Sequence, residues 1–283
     1  MGIGIALAGG GIRGIAHAGV LKALEENHIR IEAIGGTSAG SIVAALYAMG
    51  YKPYYIYVLF KKYAEELINI GNVPIVNGIG NFVRCKKMGI AGLKDGTSLE
   101  NMCNELGLRK GVKTIGDIKM PLAIPTVDIM DSKEYIFTNC APRNNPYDNY
   151  ITEIGIGKAI RASCSFPAMF CPCEFKNHMF MDGGTLDNIP VIPLKRMYNK
   201  KIMAVNFEAD KVEENSDVMD IIMKTLDIMG NKISEEGIKQ SDFVLTVPTD
   251  RAGLFDIEKL DKCYKFGYET VMKNIDKIKK IVN

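Results

Sequence analysis

The pentapeptide GTSAG at residues 36–40 decides how the rest of this 283-residue chain is interpreted. A short apolar run at residues 31–34 predicts a strand before it, and a run rich in Ala and Leu at residues 41–49 predicts a helix after it. A serine held between two glycines where a strand turns into a helix is typical of a nucleophile elbow. The strained turn would expose the Ser38 hydroxyl at the positive end of the helix, where developing negative charge is stabilised. A plain turn that contains a serine is the alternative.

A second glycine-rich segment, GGGIRG at residues 9–14, lies between a predicted strand at residues 3–8 and a predicted helix at residues 15–26. Its spacing satisfies the dinucleotide-binding fingerprint, with Glu32 near the position of the required acidic residue. Glu32 begins the second predicted strand, however, so it would not reach a ribose at the carboxyl edge of the sheet. The other interpretation is an oxyanion hole, because consecutive glycines present N–H groups that no side chain covers.

A serine nucleophile needs a base, and the histidines do not supply one in the order that an α/β-hydrolase requires. His17 and His28 precede Ser38, and His178 is expected at the solvated tip of a hairpin. Asp182 is the stronger candidate, because it ends an apolar strand and two glycines follow it. An ordinary Asp-Gly-Gly turn is the alternative.

Taken together and in this order, GGGIRG at 9–14, GTSAG at 36–40 and DGG at 182–184 resemble the patatin-like phospholipase family. The resemblance extends over about residues 3–208 and includes the segment AIRAS at 159–163. It implies a three-layer α/β/α sandwich around a mostly parallel central sheet. It also implies a Ser-Asp dyad, which needs no histidine.

The resemblance gives each motif residue an expected role. Ser38 is the expected nucleophile, and Asp182 is the expected base that accepts its proton. Main-chain N–H groups are expected to form the oxyanion hole at Gly9, Gly10, Gly11 and Ala39. The residues expected to support these loops are Arg13, Gly14, Gly36, Gly40, Gly183 and Gly184. Arg13 either fixes the shape of the glycine loop or binds a phosphate head group.

The activity that the resemblance implies is that of a serine hydrolase acting on carboxylic ester bonds in lipids, of the phospholipase A or lysophospholipase type. The same dyad would also serve an acyltransferase or a thioesterase. A catalytically silent lipid-binding protein is the alternative from another class. Lipid is the expected substrate, and no metal or cofactor is implied.

The composition limits the classes of protein to which the chain can belong. Lys and Arg number 35 and Asp and Glu number 33, so the net charge of +2 gives no indication of nucleic-acid binding. Seven cysteines without metal-ligand spacing indicate reduced thiols in the cytoplasm. We expect neither a signal peptide nor a membrane-spanning segment, while peripheral contact with membranes is an option. The sequence does not determine the oligomeric state. One domain is expected over residues 1–283, with residues 209–283 packed on the core that carries the motifs.

Four segments outside the motifs each allow two interpretations. The aromatic-rich helix expected at residues 51–70 is either core or a wall of an acyl-binding cleft, and the glycine-rich segment 71–96 is either a lid or a surface loop. The helix expected at 217–235 carries a methionine stripe that suits a core or an acyl groove. The Lys-rich amphipathic helix expected at 256–282 packs on the sheet or lies on a membrane surface.

Overall fold

A computed structural model describes most of the chain, namely residues 2–69, 94–142, 149–167, 169–208, 218–253 and 256–282. The strands within these residues are β1 (Gly2–Leu7), β2 (Arg30–Gly36), β3 (Leu122–Asp128), β4 (Lys133–Thr138), β5 (Tyr150–Ile151), β6 (Cys173–Phe175), β7 (His178–Asp182), β8 (Ile202–Phe207) and β9 (Phe243–Val247). The helices are α1 (Ile15–Glu26), α2 (Ala39–Ala48), α3 (Pro53–Asn69), α4 (Thr97–Arg109), α5 (Ile156–Ser163), α6 (Val191–Met197), α7 (Val218–Gln240) and α8 (Leu260–Val282).

The described strands form one sheet in the order β5-β4-β3-β2-β1-β8-β9, with β7 paired to β3 and β6 paired to β7. The five strands from β9 to β3 along this order are parallel, which confirms the prediction of a mostly parallel sheet. β1 is buried along its whole length, as its uncharged sequence predicts for a strand that is covered on both faces.

Helices cover both faces of this sheet. Successive residues of a strand point to opposite faces, so neighbouring positions identify which helix covers each face. A Cβ at Gly35 would lie 3.0 Å from Pro190, which precedes α6, and a Cβ at Gly36 would overlap the carbonyl of Gly40 in α2. α6 and α2 therefore lie on opposite faces. α7 packs with α6, α1 and α3 pack beside α2, and α8 packs on α1, so the predicted three-layer sandwich is confirmed.

One edge of β3 carries two strands in succession. Leu122 and Ala123, at the start of β3, pair with β2 in parallel, whereas residues 126–128 pair with β7 in the antiparallel direction. β4 runs along the opposite edge of β3. The carboxyl ends of β2 and β7 therefore approach each other on one edge, which brings the segment that follows β2 close to Asp182.

The C-terminal helix α8 packs closely against α1. A Cβ at Gly267 would overlap the carbonyl of Ala16, and a Cβ at Gly19 would overlap that of Tyr264, so only glycines permit this crossing. α8 also contacts β9, and its apolar side, which includes Val271, is buried. Of the two interpretations of this helix, the structure supports packing on the core.

The aromatic-rich helix α3 also contributes to the core. Ile56, Phe60 and Tyr63 are buried, and the ring of Tyr57 lies 4.2 Å from that of Tyr264 in α8. This packing supports the interpretation of α3 as part of the core.

Two of the other segments are only partly described. Met229 of the expected methionine stripe is half exposed, so this side chain is not part of a core. Residues 70–93, which hold most of the expected lid, lie outside the described residues. Among the helices that are described, none is long and apolar enough to cross a bilayer.

Candidate active site

Ser38 occupies a sharp turn between β2 and α2. Its φ is 51° and its ψ is −125°, a conformation that costs a residue other than glycine about 1–3 kcal/mol. The flanking glycines are required by close packing: a Cβ at Gly40 would lie 2.6 Å from the carbonyl oxygen of Leu7, and one at Gly36 would overlap the carbonyl of Gly40. The geometry is that of the predicted elbow.

Three hydrogen bonds hold the main chain of Ser38 in this conformation. Its N–H donates to the hydroxyl of Ser163 at 3.1 Å. Its carbonyl accepts both the hydroxyl of Ser41 at 2.6 Å and the N–H of Ser41 at 2.8 Å. Ala39 is the first residue of α2, so its N–H has no acceptor within the helix and stands beside Ser38.

The glycine loop lies against this elbow. A Cβ at Gly14 would lie 2.6 Å from the Cβ of Ala39, so the two loops are in direct contact. Gly10 and Gly11 stand at the start of the 3₁₀ turn Gly11–Gly14, where N–H groups lack acceptors within the turn, and Gly11 has a φ of 57°.

Gly9 differs from the other expected oxyanion-hole donors. Its N–H donates to the carbonyl of Asn188 at 3.1 Å. Because this hydrogen bond occupies the only proton on the amide, Gly9 is removed from the donors that we expected to face the oxyanion. Gly10, Gly11 and Ala39 remain as candidates.

Arg13 is buried and holds the glycine loop. Its main-chain N–H and its side-chain Nε both donate to the carbonyl of Gly10, at 3.2 and 3.0 Å. Its guanidinium lies 5.6 Å from the centre of the Phe207 ring. Of the two expected roles for Arg13, the geometry supports the one that fixes the loop.

Asp182 ends β7 and is 3% exposed. Its Oδ1 accepts the N–H of Gly184 at 2.9 Å, and its own N–H donates to the carbonyl of Ser165 at 3.1 Å. Burial raises the pKa of Asp182 to about 6, against the lowering effects of the nearby Ser38 hydroxyl and of the Gly184 amide. Oδ2 is buried and has no hydrogen bond of ordinary geometry to any described residue. The structure thus brings the Ser38 hydroxyl close to the Asp182 carboxylate.

The histidines lie elsewhere. His178 begins β7, about 13 Å along the strand from Asp182, and its Nδ1 is 2.6 Å from Oδ2 of the buried Asp128. The predicted hairpin is confirmed, with His178 paired to Phe175 beside its turn, but the side chain is partly buried against Asp128 and not solvated as expected. His17 is hydrogen-bonded to the carbonyl of Ala8 at 2.8 Å, and burial lowers its pKa to about 4.

The residues needed for the dinucleotide interpretation do not assemble at this site. Glu32 lies near the start of β2, where it accepts hydrogen bonds from Tyr198 at 2.8 Å and Lys200 at 2.7 Å. That end of β2 is opposite the end at which the elbow begins. Within the part of the chain that the structure describes, no group of three or more His, Cys, Asp or Glu side chains could hold a metal ion.

Two polar features near the elbow had not been predicted. The hydroxyl of Ser163 contacts the Ser38 amide, and the segment that contains Ser163 carries no sequence signal beyond the family resemblance. The carbonyl of Asp187 accepts the hydroxyl of Thr37 at 2.9 Å, and the side chain of this half-buried residue lies beside that of Glu134. Burial and the neighbouring Glu134 raise the pKa of Asp187 well above its usual range. No short sequence pattern marks either contact.

Comparison with known proteins gives a family match over most of the chain. A family model described as patatin-like phospholipase matches residues 5–195. Lysophospholipase NTE1 of Lodderomyces elongisporus is 31% identical over 214 residues, which cover 72% of this chain and 12% of that protein. Lysophospholipase NTE1 of Candida albicans is 27% identical over 302 residues, which cover 94% of this chain and 19% of that protein. The chain thus spans less than a fifth of the length of these two relatives.

Among solved structures, VipD from Legionella pneumophila has a similar fold. It superposes with a TM-score of 0.53 at 14% sequence identity, over 97% of this chain and 67% of VipD. The family match extends from β1 into α6 and therefore contains the glycine loop, the elbow and Asp182. With this match and the fold in agreement, the chain belongs to the patatin-like phospholipase family.

Proposed function

We propose that this protein hydrolyses carboxylic ester bonds in lipids, as a phospholipase A or lysophospholipase, with Ser38 as nucleophile and Asp182 as base. The observation that carries the proposal is the position of a strained, partly exposed serine beside a buried carboxylate whose pKa is raised to about 6. The printed name of the yeast relatives, lysophospholipase, supports a lipid ester as the substrate. Peripheral contact with a lipid surface belongs to the same proposal.

The proposed reaction begins with attack of Ser38 Oγ on the ester carbonyl, while the hydroxyl proton moves to Asp182. The carbonyl oxygen becomes an oxyanion, and the N–H groups of Gly10, Gly11 and Ala39 donate to it. The bond to the alcohol then breaks, and the leaving alcohol takes the proton from Asp182. This leaves an acyl-enzyme on Ser38.

Water completes the proposed reaction by the reverse sequence. Its proton moves to Asp182 as its oxygen attacks the acyl carbon, and a second oxyanion forms at the same donors. The bond to Ser38 Oγ breaks, the proton returns to the serine, and the fatty acid leaves. A raised pKa suits Asp182 to this exchange, because a carboxylate with a pKa nearer neutrality is a better proton acceptor than an ordinary aspartate.

Substitution of the two residues tests the proposal. Ser38→Ala and Asp182→Asn should each abolish hydrolysis of lysophosphatidylcholine and of a short p-nitrophenyl ester while leaving circular dichroism unchanged. Ser234→Ala and Asp128→Asn are the matched controls, because Ser234 bonds within α7 and Asp128 bonds to His178, and both are buried. Substantial activity in either of the first two variants would refute the dyad.

The same two residues would also support acyl transfer or thioester hydrolysis. Product analysis separates these reactions from ester hydrolysis. Incubation with phospholipid and a second alcohol should yield free fatty acid, whereas an acyltransferase would yield a new ester. A thioesterase would prefer acyl thioesters to the oxygen esters at equal concentration.

A further inference from the structure

We propose that Ser163 is a positioning residue that sets the orientation of Ser38, an inference that rests on the proposed function. Ser163 is the last residue of α5, and it is fully buried. Its hydroxyl oxygen accepts the main-chain N–H of Ser38 at 3.1 Å, although the two residues are 125 positions apart in the chain. It does not reach the reacting atoms, so its effect is on the position of the nucleophile.

The main chain of Ser38 needs such a partner because its conformation is unfavourable. A positive φ persists in a residue other than glycine only where the surrounding structure determines it fully. The carbonyl side of Ser38 is held twice by Ser41, through its N–H and its hydroxyl. On the amide side, the N–H of Ser38 donates to the hydroxyl oxygen of Ser163. Loss of this acceptor would release one end of the turn and leave the other end fixed.

The turn that contains Ser163 also holds the proposed base. The carbonyl of Ser165, two residues further on, accepts the N–H of Asp182 at 3.1 Å. The turn is itself anchored, because the N–H of Ser165 donates to Ala162 at 3.1 Å and its hydroxyl donates to Arg161 at 3.0 Å. Residues 163–165 thus connect the nucleophile to the base through two hydrogen bonds. We infer that this connection fixes the separation between the Ser38 hydroxyl and the Asp182 carboxylate.

A small change in this separation should have a large effect on rate. Reacting groups must lie within about 3–3.5 Å of each other, and a displacement of about 1 Å can lower the rate about a hundredfold. Substrate binding should depend less on this geometry, because binding does not require the hydroxyl and the carboxylate to be aligned for proton transfer. The expected signature is therefore a fall in kcat with little change in KM.

The test compares Ser163→Ala with the matched control Ser234→Ala. Ser234 is also a buried serine, but its hydroxyl bonds to the carbonyl of Gly230 within α7 and it contacts neither Ser38 nor Asp182 through a hydrogen bond in the described residues. We expect S163A to lower kcat by about tenfold or more with KM within about twofold of the wild type, and S234A to stay within about threefold in both. The midpoint of the pH profile of kcat/KM should not move in S163A, because the burial and partners of Asp182 are retained.

A covalent probe measures the same effect without lipid. In labelling by a fluorophosphonate, Ser38 Oγ bonds to phosphorus, fluoride leaves, and the hydroxyl proton moves to Asp182. S163A should label about tenfold more slowly than S234A, as read by mass spectrometry of the peptide that contains Ser38. Equal labelling rates, or equal kcat values in S163A and S234A, would overturn the proposal.

Two further variants keep the test decisive if S163A does not fold. Ser163→Thr retains a hydroxyl acceptor, whereas Ser163→Cys replaces it with sulfur, a weak acceptor of similar shape. Faster labelling of S163T than of S163C supports the proposal, and equal or reversed rates overturn it. Ser38→Ala in the same assays separates the two proposals: full activity in S38A refutes the proposed function, whereas an inactive S38A beside a fully active S163A refutes only the role of Ser163.

Discussion

The main-chain carbonyl of Asn188 accepts the N–H of Gly9 at 3.1 Å, which joins the segment after Asp182 to the glycine loop. The side chain of Asn188 also fills the space beside Gly9, since a Cβ there would overlap Asn188 Oδ1 and lie 3.2 Å from the Cβ of Ser38. Gly9 is thus the point at which the glycine loop, the elbow and the segment after Asp182 meet.

Replacement of Gly9 by alanine should therefore lower activity sharply. The added methyl group must displace Asn188 or Ser38, and we expect kcat for p-nitrophenyl ester hydrolysis to fall by about tenfold or more. Gly116→Ala is the control, because Gly116 is exposed and the nearest atom to its added Cβ lies 3.6 Å away. Similar kcat values for G9A and G116A would show that the contact does not influence the site.

The pKa of Asp182 predicts how activity depends on pH. Only the ionised carboxylate accepts the proton of Ser38, so kcat/KM for a neutral ester should rise with pH through about 6 and level off above it. Asp128→Asn should leave this midpoint unchanged, because Asp128 lies beside His178 at the other end of β7. A midpoint near the ordinary value of about 4 would contradict the burial of the base.

The same group should make the fold less stable as the pH rises. The pKa of Asp182 is about 6 in the folded protein and about 3.9 in the unfolded chain, so the folded state binds more protons between these values. Its contribution to stability is fully present below the unfolded pKa and is lost as the pH rises through the folded pKa. Asp182→Asn removes this titration. Its stability relative to the wild type should increase by about 3 kcal/mol between about pH 4 and pH 8, as measured by urea unfolding, and parallel curves would contradict the prediction.

Asp187 and Glu134 form a second pH-sensitive feature. Burial raises the pKa of Asp187 first, and the charge and hydrogen bond of Glu134 raise it further. Burial also raises the pKa of Glu134, against the lowering effects of its hydrogen bond with Asp187 and of the charge on Arg196. The wild type should lose stability as the pH rises through the raised pKa of Asp187. Asp187→Asn should lose less stability over the same range, because its amide donates to Glu134 at any pH and its oxygen still accepts the N–H of Ile189, although Glu134 and Asp182 still titrate. Melting temperatures between about pH 6 and pH 10 that fall equally in both proteins would contradict this.

The crossing of α1 and α8 predicts a variant that affects stability alone. Gly267→Ala places a methyl group against the carbonyl of Ala16, which should lower the free energy of unfolding by about 1–3 kcal/mol. Gly253→Ala is the control, because no atom of the described residues lies within 4 Å of its added Cβ. Active-site labelling per folded molecule should be unchanged in both variants. A fully stable G267A would show that the helices separate without cost.

Much of the fold could be predicted, because each of its main strands is a short continuous apolar run that local sequence alone identifies. The runs that form β1, β2, β3 and β8 are mostly buried, and the boundaries of β1 and β2 differ from the predicted ones by one or two residues. The direction of β7 could not be predicted, since its pairing with Thr126 in β3 is a contact between distant segments. The start of α3 at Pro53 shows a local effect that was overlooked, because proline is favoured in the first turn of a helix.

The residues of the candidate site could be predicted only where the local main-chain conformation or packing requires a particular residue type. Glycines around Ser38 and after Asp182 permit close main-chain approaches, and such approaches leave a motif in the sequence. Ser163 leaves none, because any buried serine can bond to a distant amide. Gly9 was expected to donate to the oxyanion, and only the fold reveals that Asn188 occupies its N–H.

Because β2 and β7 share one edge of β3, the sheet permits only coarse changes in the distance between Ser38 and Asp182. β7 can slide along β3 only in steps of two residues if its buried face is to stay buried, and each step moves a side chain by about 7 Å. A single step would carry the carboxylate out of reach of the hydroxyl. Strand register therefore allows no intermediate distance between the hydroxyl and the carboxylate. A homologue or a designed variant with a slightly different distance must change the loops instead.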